Sequence, residues 1–145
     1  MSLHTAPQSD GGAELTIRLT KEEVDAIGLC EAEGLADHLD TALWGLALLR
    51  SGRTVRTPDP RPIEAADLYA VIRDLHKHLV PMAGGIRDAA IRRHREVGGS
   101  TAHLAAAMDT ARSTAQDRRE ALDRTGPRRA EAARWETWAA TPRHN

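Results

Sequence analysis

Between Arg92 and Arg119 the chain gathers the side chains best suited to recognising another molecule. Arg112, Ser113, Gln116 and Asp117 recur at helical spacing. An arginine fork can bind guanine O6 and N7 together, a glutamine can pair with adenine, and an aspartate can accept from cytosine N4. Ser100, His103, Thr114, Arg118 and Arg119, with Arg92, Arg93 and Arg95 upstream, offer hydroxyls, an imidazole and guanidinium groups suited to phosphate. Taken singly, each also fits an ordinary solvated helix face, where Arg92 and Glu96 stand i, i+4. It is their grouping that points to double-stranded DNA.

The elements that must position them are two short helices. Gly98-Gly99 breaks the chain, and Ser100 can cap the next helix. Thr101 to Met108 places Leu104, Ala105 and Met108 on one face, Asp109-Thr110-Ala111 makes a turn, and Arg112 to about Arg124 forms a second, polar helix. Small alanines where two helices cross, joined by a tight turn, predict a helix-turn-helix. Gly99, Ser100, Leu104, Ala105, Ala107, Met108, Arg112, Ala115 and Arg118 give this stretch a spacing that resembles the helix-turn-helix of actinobacterial DNA-binding proteins. Thr101 replaces that pattern's aromatic, Asp109 its turn glycine and Thr110 its apolar turn residue. The resemblance implies that the first outward residues of the second helix, Arg112, Ser113, Gln116 and Asp117, face base edges in the major groove. It places Ser100, His103, Thr114, Arg118, Arg119, Arg92, Arg93 and Arg95 against phosphate, and it implies a dimeric transcriptional regulator.

Catalytic chemistry has no comparable support. His76 and His78 stand i, i+2 and point apart on a helix, so they make poor joint metal ligands. The Gly pairs at 84–85 and 98–99 lack the Lys-Ser/Thr of a phosphate loop. No enzyme activity, cofactor or metal is expected. Cys30 is the only cysteine, which excludes an intramolecular disulfide and is read as a small buried apolar residue.

The net charge of −1 over 145 residues argues against a nonspecific nucleic-acid coat. The split is more informative: residues 1–85 carry 8 basic and 13 acidic side chains, residues 86–145 carry 12 and 8. The second half is therefore the one suited to a polyanion. Basic residues are 18 Arg against Lys21 and Lys77, the usage of a GC-rich genome. With no Phe and one Tyr, packing falls to Leu, Ala, Ile, Val and three Trp. No signal-like segment opens the chain, and the apolar run from Ala42 to Leu49 is too short for a bilayer. A cytoplasmic location is expected.

The rest of the chain reads as support. Residues 1–13 are expected to be a disordered tail. Leu15, Ile17 and Leu19 alternate as a strand that needs a partner, either 54–56 or its twin in a dimer. Thr20 and Glu23 predict a capping box on a helix to about Glu33, with Val24, Ile27 and Cys30 or Ala32 inward and a break at Gly34. Leu35, Leu39, Leu43 or Ala42, Leu46 and Leu49 then form an apolar face that must be covered. Pro62 at a helix start opens 63–79, with Ala65, Leu68, Ile72, Leu75 and Leu79 inward. Pro81 kinks or breaks it, and the stripe continues in phase through Met82, Ile86, Ala89 or Ala90, and Val97 in a helix 82–97. Gly126-Pro127 closes the recognition helix, and a last helix, 128–140, carries Trp135 and Trp138 as docking anchors.

The expectation is a mainly α protein. A strand-helix-helix module over 14–62, for dimerisation or partner binding, precedes a trihelical helix-turn-helix domain over 63–126 and a C-terminal helix and tail over 127–145. Two alternatives stay open. One is a protein interaction module with an acidic N-terminal surface. The other is a ribbon-helix-helix, which the N-terminal part also resembles, with Thr16 and Arg18 facing the bases.

Overall fold

A computed structural model describes residues 2–124 and 130–142. The chain is mainly helical, with a small two-stranded antiparallel sheet at its start. It divides into two compact units: residues up to Asp40 belong to one, and Thr41–Thr141 form the other.

In the first unit, β1 (Ser2–Pro7) pairs with β2 (Ala13–Arg18). The expected tail is therefore a strand, and β2 finds its partner in β1 rather than in 54–56. The reason is the turn between them. Gly11 takes φ +86, Gly11 N–H donates to Gln8 O at 3.1 Å, and Gln8 N–H donates to Gly12 O at 2.8 Å. The register sets Leu3 opposite Ile17 and Thr5 opposite Leu15. Helix α1 (Lys21–Ile27) carries the expected capping box: Glu23 N–H donates to Thr20 Oγ1 at 3.2 Å and Thr20 N–H to Glu23 Oε2 at 2.9 Å.

The break comes at Gly28, not Gly34. Gly28 takes φ +95 and returns its N–H to Val24 O, conditions that favour glycine. Gly34 lies inside α2 (Leu29–Ser51), where a glycine is tolerated at roughly 1 kcal/mol. The restart resets the helical phase, so Cys30 is exposed rather than buried.

In the second unit, the part of α2 beyond Asp40 buries Gly45 and Leu48 rather than the expected leucine stripe. A Cβ on Gly45 would collide with Val71 of α3 (Ala65–Asp74), so glycine is what lets the two helices approach. Residues 54–56 form no strand; the one bridge there joins Arg53 to Pro62. With Pro62 so engaged, α3 begins three residues later, where the Asp67 carboxylate accepts the Glu64 N–H at 2.8 Å.

A π-helical turn, Leu75–Leu79, joins α3 to α4 (Val80–Glu96), and Pro81 sits in the first turn of α4. The expected break at Pro81 is therefore not seen: the backbone stays helical through it, and the irregularity is the π turn just before. A π turn inserts a residue and rotates the helix face. The stripe therefore does not continue in phase: Met82, Gly85, Asp88, Ala89 and Ile91 are buried, while Ile72, Ile86 and Val97 are exposed.

Helix α5 (Thr101–Ala107) and helix α6 (Arg112–Arg124) share one apolar core with α4, made of Ile91, Leu104, Ala105, Ala115 and Leu122 with Met108 against it. Helix α7 (Ala130–Ala140) packs along α4. Gly85 makes room for it, since a Cβ there would lie 2.5 Å from Trp135. Trp135 meets Trp138 edge to face at 5.7 Å. The expected stop at Gly126-Pro127 and the helix start at Arg128 lie outside the described residues. Among the described residues, no helix is long and apolar enough to cross a membrane.

Candidate nucleic-acid interface

The approach of α5 to α6 depends on two devices. At its start, Gly98 takes φ +80 and a Cβ on Gly99 would collide with the His94 imidazole, so the Gly-Gly pair folds the chain tightly back from α4. Ser100 then caps α5, its Oγ accepting the His103 N–H at 3.2 Å. At its end, Asp109 takes φ +49, Thr110 N–H donates to Ala105 O at 3.0 Å and Asp109 N–H to Ala106 O at 3.2 Å. This is the paired closure of a Schellman turn, with aspartate in the left-handed place glycine usually fills. Ala115 is 0% exposed and Ala105 is buried, which leaves no room for a larger side chain at the crossing.

The four residues expected to face bases all lie on the exposed side of α6 in its first two turns. Arg112, Ser113 and Asp117 make no side-chain hydrogen bond or ion pair among the described residues. Gln116 is occupied: its Oε1 accepts from Thr101 Oγ1 at 3.2 Å and its Nε2 donates to Glu120 Oε1 at 2.7 Å. To read a base it must exchange both bonds.

The residues expected against phosphate separate into two groups. Thr114 and His103 are exposed, and Arg93 is exposed with Glu96 at 3.0 Å. His103 lines an open groove between α4 and α5 with His94 and Arg87. The Ser100 hydroxyl is engaged as a cap. Arg119 is half-buried and donates to Thr101 Oγ1 at 2.7 Å. Arg92 is tied to Glu136 of α7 and donates to Leu122 O at 2.6 Å. Arg95 pairs with Asp123, and Arg118 donates to Asp88 Oδ1 at 2.5 Å. Arg92, Arg95 and Arg118 thus join α4 to α6 and α7 rather than standing free on the surface.

Asp88 is the residue the sequence reasoning missed. It is buried on α4 and holds both Arg118 and the Arg87 Nε, the latter at 3.0 Å. A signal for Arg118 was present, because it follows Ala115 by three and precedes Leu122 by four, the spacing of the buried face. Among the described residues, no group of three His, Cys, Asp or Glu side chains is placed to hold a metal ion.

No family model, curated protein or solved structure matches this chain. The reading of the site therefore rests on its geometry.

Proposed function

We propose that α4, α5 and α6 form a trihelical helix-turn-helix domain that binds double-stranded DNA sequence-specifically, with α6 as the recognition helix, and that the protein is a dimeric transcriptional regulator. The observation that carries this reading is the crossing at Ala105 and Ala115, closed by the left-handed Asp109. It leaves the first turns of α6 exposed with Arg112, Ser113 and Asp117 uncommitted among the described residues. The base-facing set is then Arg112, Ser113, Gln116 and Asp117, with Thr114, His103 and Arg93 the most accessible groups for phosphate. Arg92, Arg95 and Arg118 act in this reading by fixing α6 against α4. Catalysis, cofactors and metals have no part in it.

Arg112→Ala tests the proposal on the promoter region of the protein's own gene. A bidentate guanine contact predicts a loss of about 1–3 kcal/mol in specific affinity and relaxed preference at one base pair. Unchanged binding would remove Arg112 from the base-reading role.

A second reading has its own support. Three of the expected phosphate arginines, Arg92, Arg95 and Arg118, are engaged in ion pairs within the chain, while the half up to residue 85 carries the acidic excess. In that reading the protein binds another protein through its acidic N-terminal half. Salt separates the two, because affinity for duplex DNA falls steeply with salt when phosphates are contacted.

A further inference from the structure

The ribbon of β1 and β2 lies wholly in the first compact unit, and among the described residues no helix packs along it. Leu3, Leu15 and Ile17 share one face and are 68%, 55% and 49% exposed. A two-stranded ribbon in this condition is marginal in water and gains stability from further strands. The turn fixes which backbone groups remain for such strands. Gln8 N–H donates to Gly12 O, so these two residues face each other as a bonded pair. Alternation along the ladder then makes Ala6–Glu14, His4–Thr16 and Ser2–Arg18 bonded pairs as well. The N–H and C=O groups of Leu15 and Ile17 therefore point away from β1. Those of Leu3 and Thr5 point outward on the opposite edge, where Pro7 has no N–H to offer and blunts the β1 edge. The β2 edge keeps its donors.

That edge is complementary to itself in one register. With Thr16 on a two-fold axis, Leu15 and Ile17 of one copy exchange backbone bonds with Ile17 and Leu15 of the other, and Glu14 stands opposite Arg18 in both directions. Opposite charges directly across a non-bonded pair, where side chains approach most closely, are the favourable arrangement. A shift that keeps the same face apolar moves the axis by one residue and loses this match. With Leu15 on the axis, Glu14 meets Thr16 and Arg18 meets Gly12; with Ile17 on the axis, Arg18 meets Thr16 and Glu14 meets Thr20. Arg18 makes no side-chain hydrogen bond or ion pair among the described residues. Glu14 accepts from Gln8 Nε2 at 3.3 Å and Thr16 Oγ1 at 3.0 Å, exposed neutral bonds that leave its charge uncompensated.

We infer that the β2 edge is the homodimer interface: two copies pair antiparallel about Thr16 into a four-stranded sheet of order β1-β2-β2-β1. Leu15 then lies beside Ile17 of the second copy on the apolar face, Glu14 pairs with Arg18 on the polar face, and each contact occurs twice, as two-fold symmetry requires. Both outer edges are β1 strands carrying Pro7, so the sheet closes at two copies. This deepens the dimer of the functional reading and rests on it for the expectation of two copies, while the geometry stands on the ribbon alone.

The test uses the full chain. Sedimentation equilibrium at micromolar concentration should give a dimer. Arg18→Glu and Glu14→Arg should each weaken it by about 10-fold or more, since each sets like charges across both ends of the seam. Mixing the two variants should restore a dimer, because every opposed pair is then Glu against Arg. Circular dichroism of each should match wild type, both side chains being exposed. Register is read from cysteine cross-linking in a Cys30→Ser background. Thr16→Cys should link to its own twin, because a non-bonded antiparallel pair sets its Cα atoms about 4.5 Å apart. His4→Cys, one strand further out on each side, should not. A monomeric wild type, a dimer that neither charge variant weakens, a mixture no more dimeric than its components, or a Thr16→Cys that links no faster than His4→Cys overturns the inference. A dimer that passes these tests yet fails to bind DNA would leave the interface standing and remove the DNA reading.

Discussion

Asp88 commits one arginine of the cluster, Arg118, to the fold. Its buried carboxylate takes the guanidinium of Arg118 and draws α6 onto α4, so Arg118 is a positioning residue for the helix that carries Arg112. Removing one partner of such a pair leaves the other charge poorly solvated and unpaired. Asp88→Ala is expected to lower unfolding stability by about 2 kcal/mol, reduced from the fully buried value because Arg118 keeps a third of its surface in water. Denaturant unfolding measures it, and an unchanged midpoint would mean that the pair does not hold α6. The spacing of Arg118 to Ala115 and Leu122 is enough, by itself, to set it on the buried face of α6. Asp88 has no such signal, because the stripe it belongs to is out of phase with the one upstream. Asp109 shows the opposite case: it stands where the resembling pattern has a turn glycine, and it takes the left-handed φ +49 that such a glycine would supply.

At the scale of elements, local chemistry was legible and phase was not. Thr20 and Glu23 announced α1 and Ser100 announced α5, because each acts through bonds within a few residues. The buried faces depended on events a repeat pattern does not carry. The π turn rotated α4 relative to α3, and Gly28, by ending α1 early, moved Cys30 outward. In α2 two stripes competed, and the smaller one was buried because Gly45 admits Val71. The start of α3 is likewise set by a contact outside its own pattern. Arg61 binds both oxygens of Asp67 at 2.8 Å, and Asp67 also accepts the Glu64 N–H. The Arg61 guanidinium first, then that backbone bond, hold the Asp67 carboxyl below its usual range. A lowered folded pKa makes its contribution complete above the unfolded carboxylate range, about 3.9. The contribution is lost as pH falls through the lowered folded value. The stability difference between wild type and Asp67→Asn should therefore be flat near neutrality and shrink only on acidification below about pH 4. A difference already changing near neutrality would assign the dependence to another group.

At the scale of the molecule, the charge split bears on one question, how α6 as the proposed recognition helix would obtain useful specificity. A single α6 would offer few base contacts, and the arginines that would extend its phosphate footprint are partly consumed in ion pairs. Two protomers would double both kinds of contact, reading half-sites related by the same two-fold axis as the protein. This coupling has a measurable form. The logarithm of affinity falls with the logarithm of salt concentration by about 0.9 for each phosphate neutralised. If both protomers of a dimer touch DNA, a fragment that carries one half-site should bind with about half the salt slope of the full promoter site, as well as more weakly. Arg112→Ala, by contrast, should weaken binding while leaving the oligomeric state unchanged and most of the slope intact, because its contact is to a base. Fluorescence anisotropy over a salt series distinguishes these cases. An equal slope and equal affinity for the full site and the single half-site would mean that one protomer makes every contact.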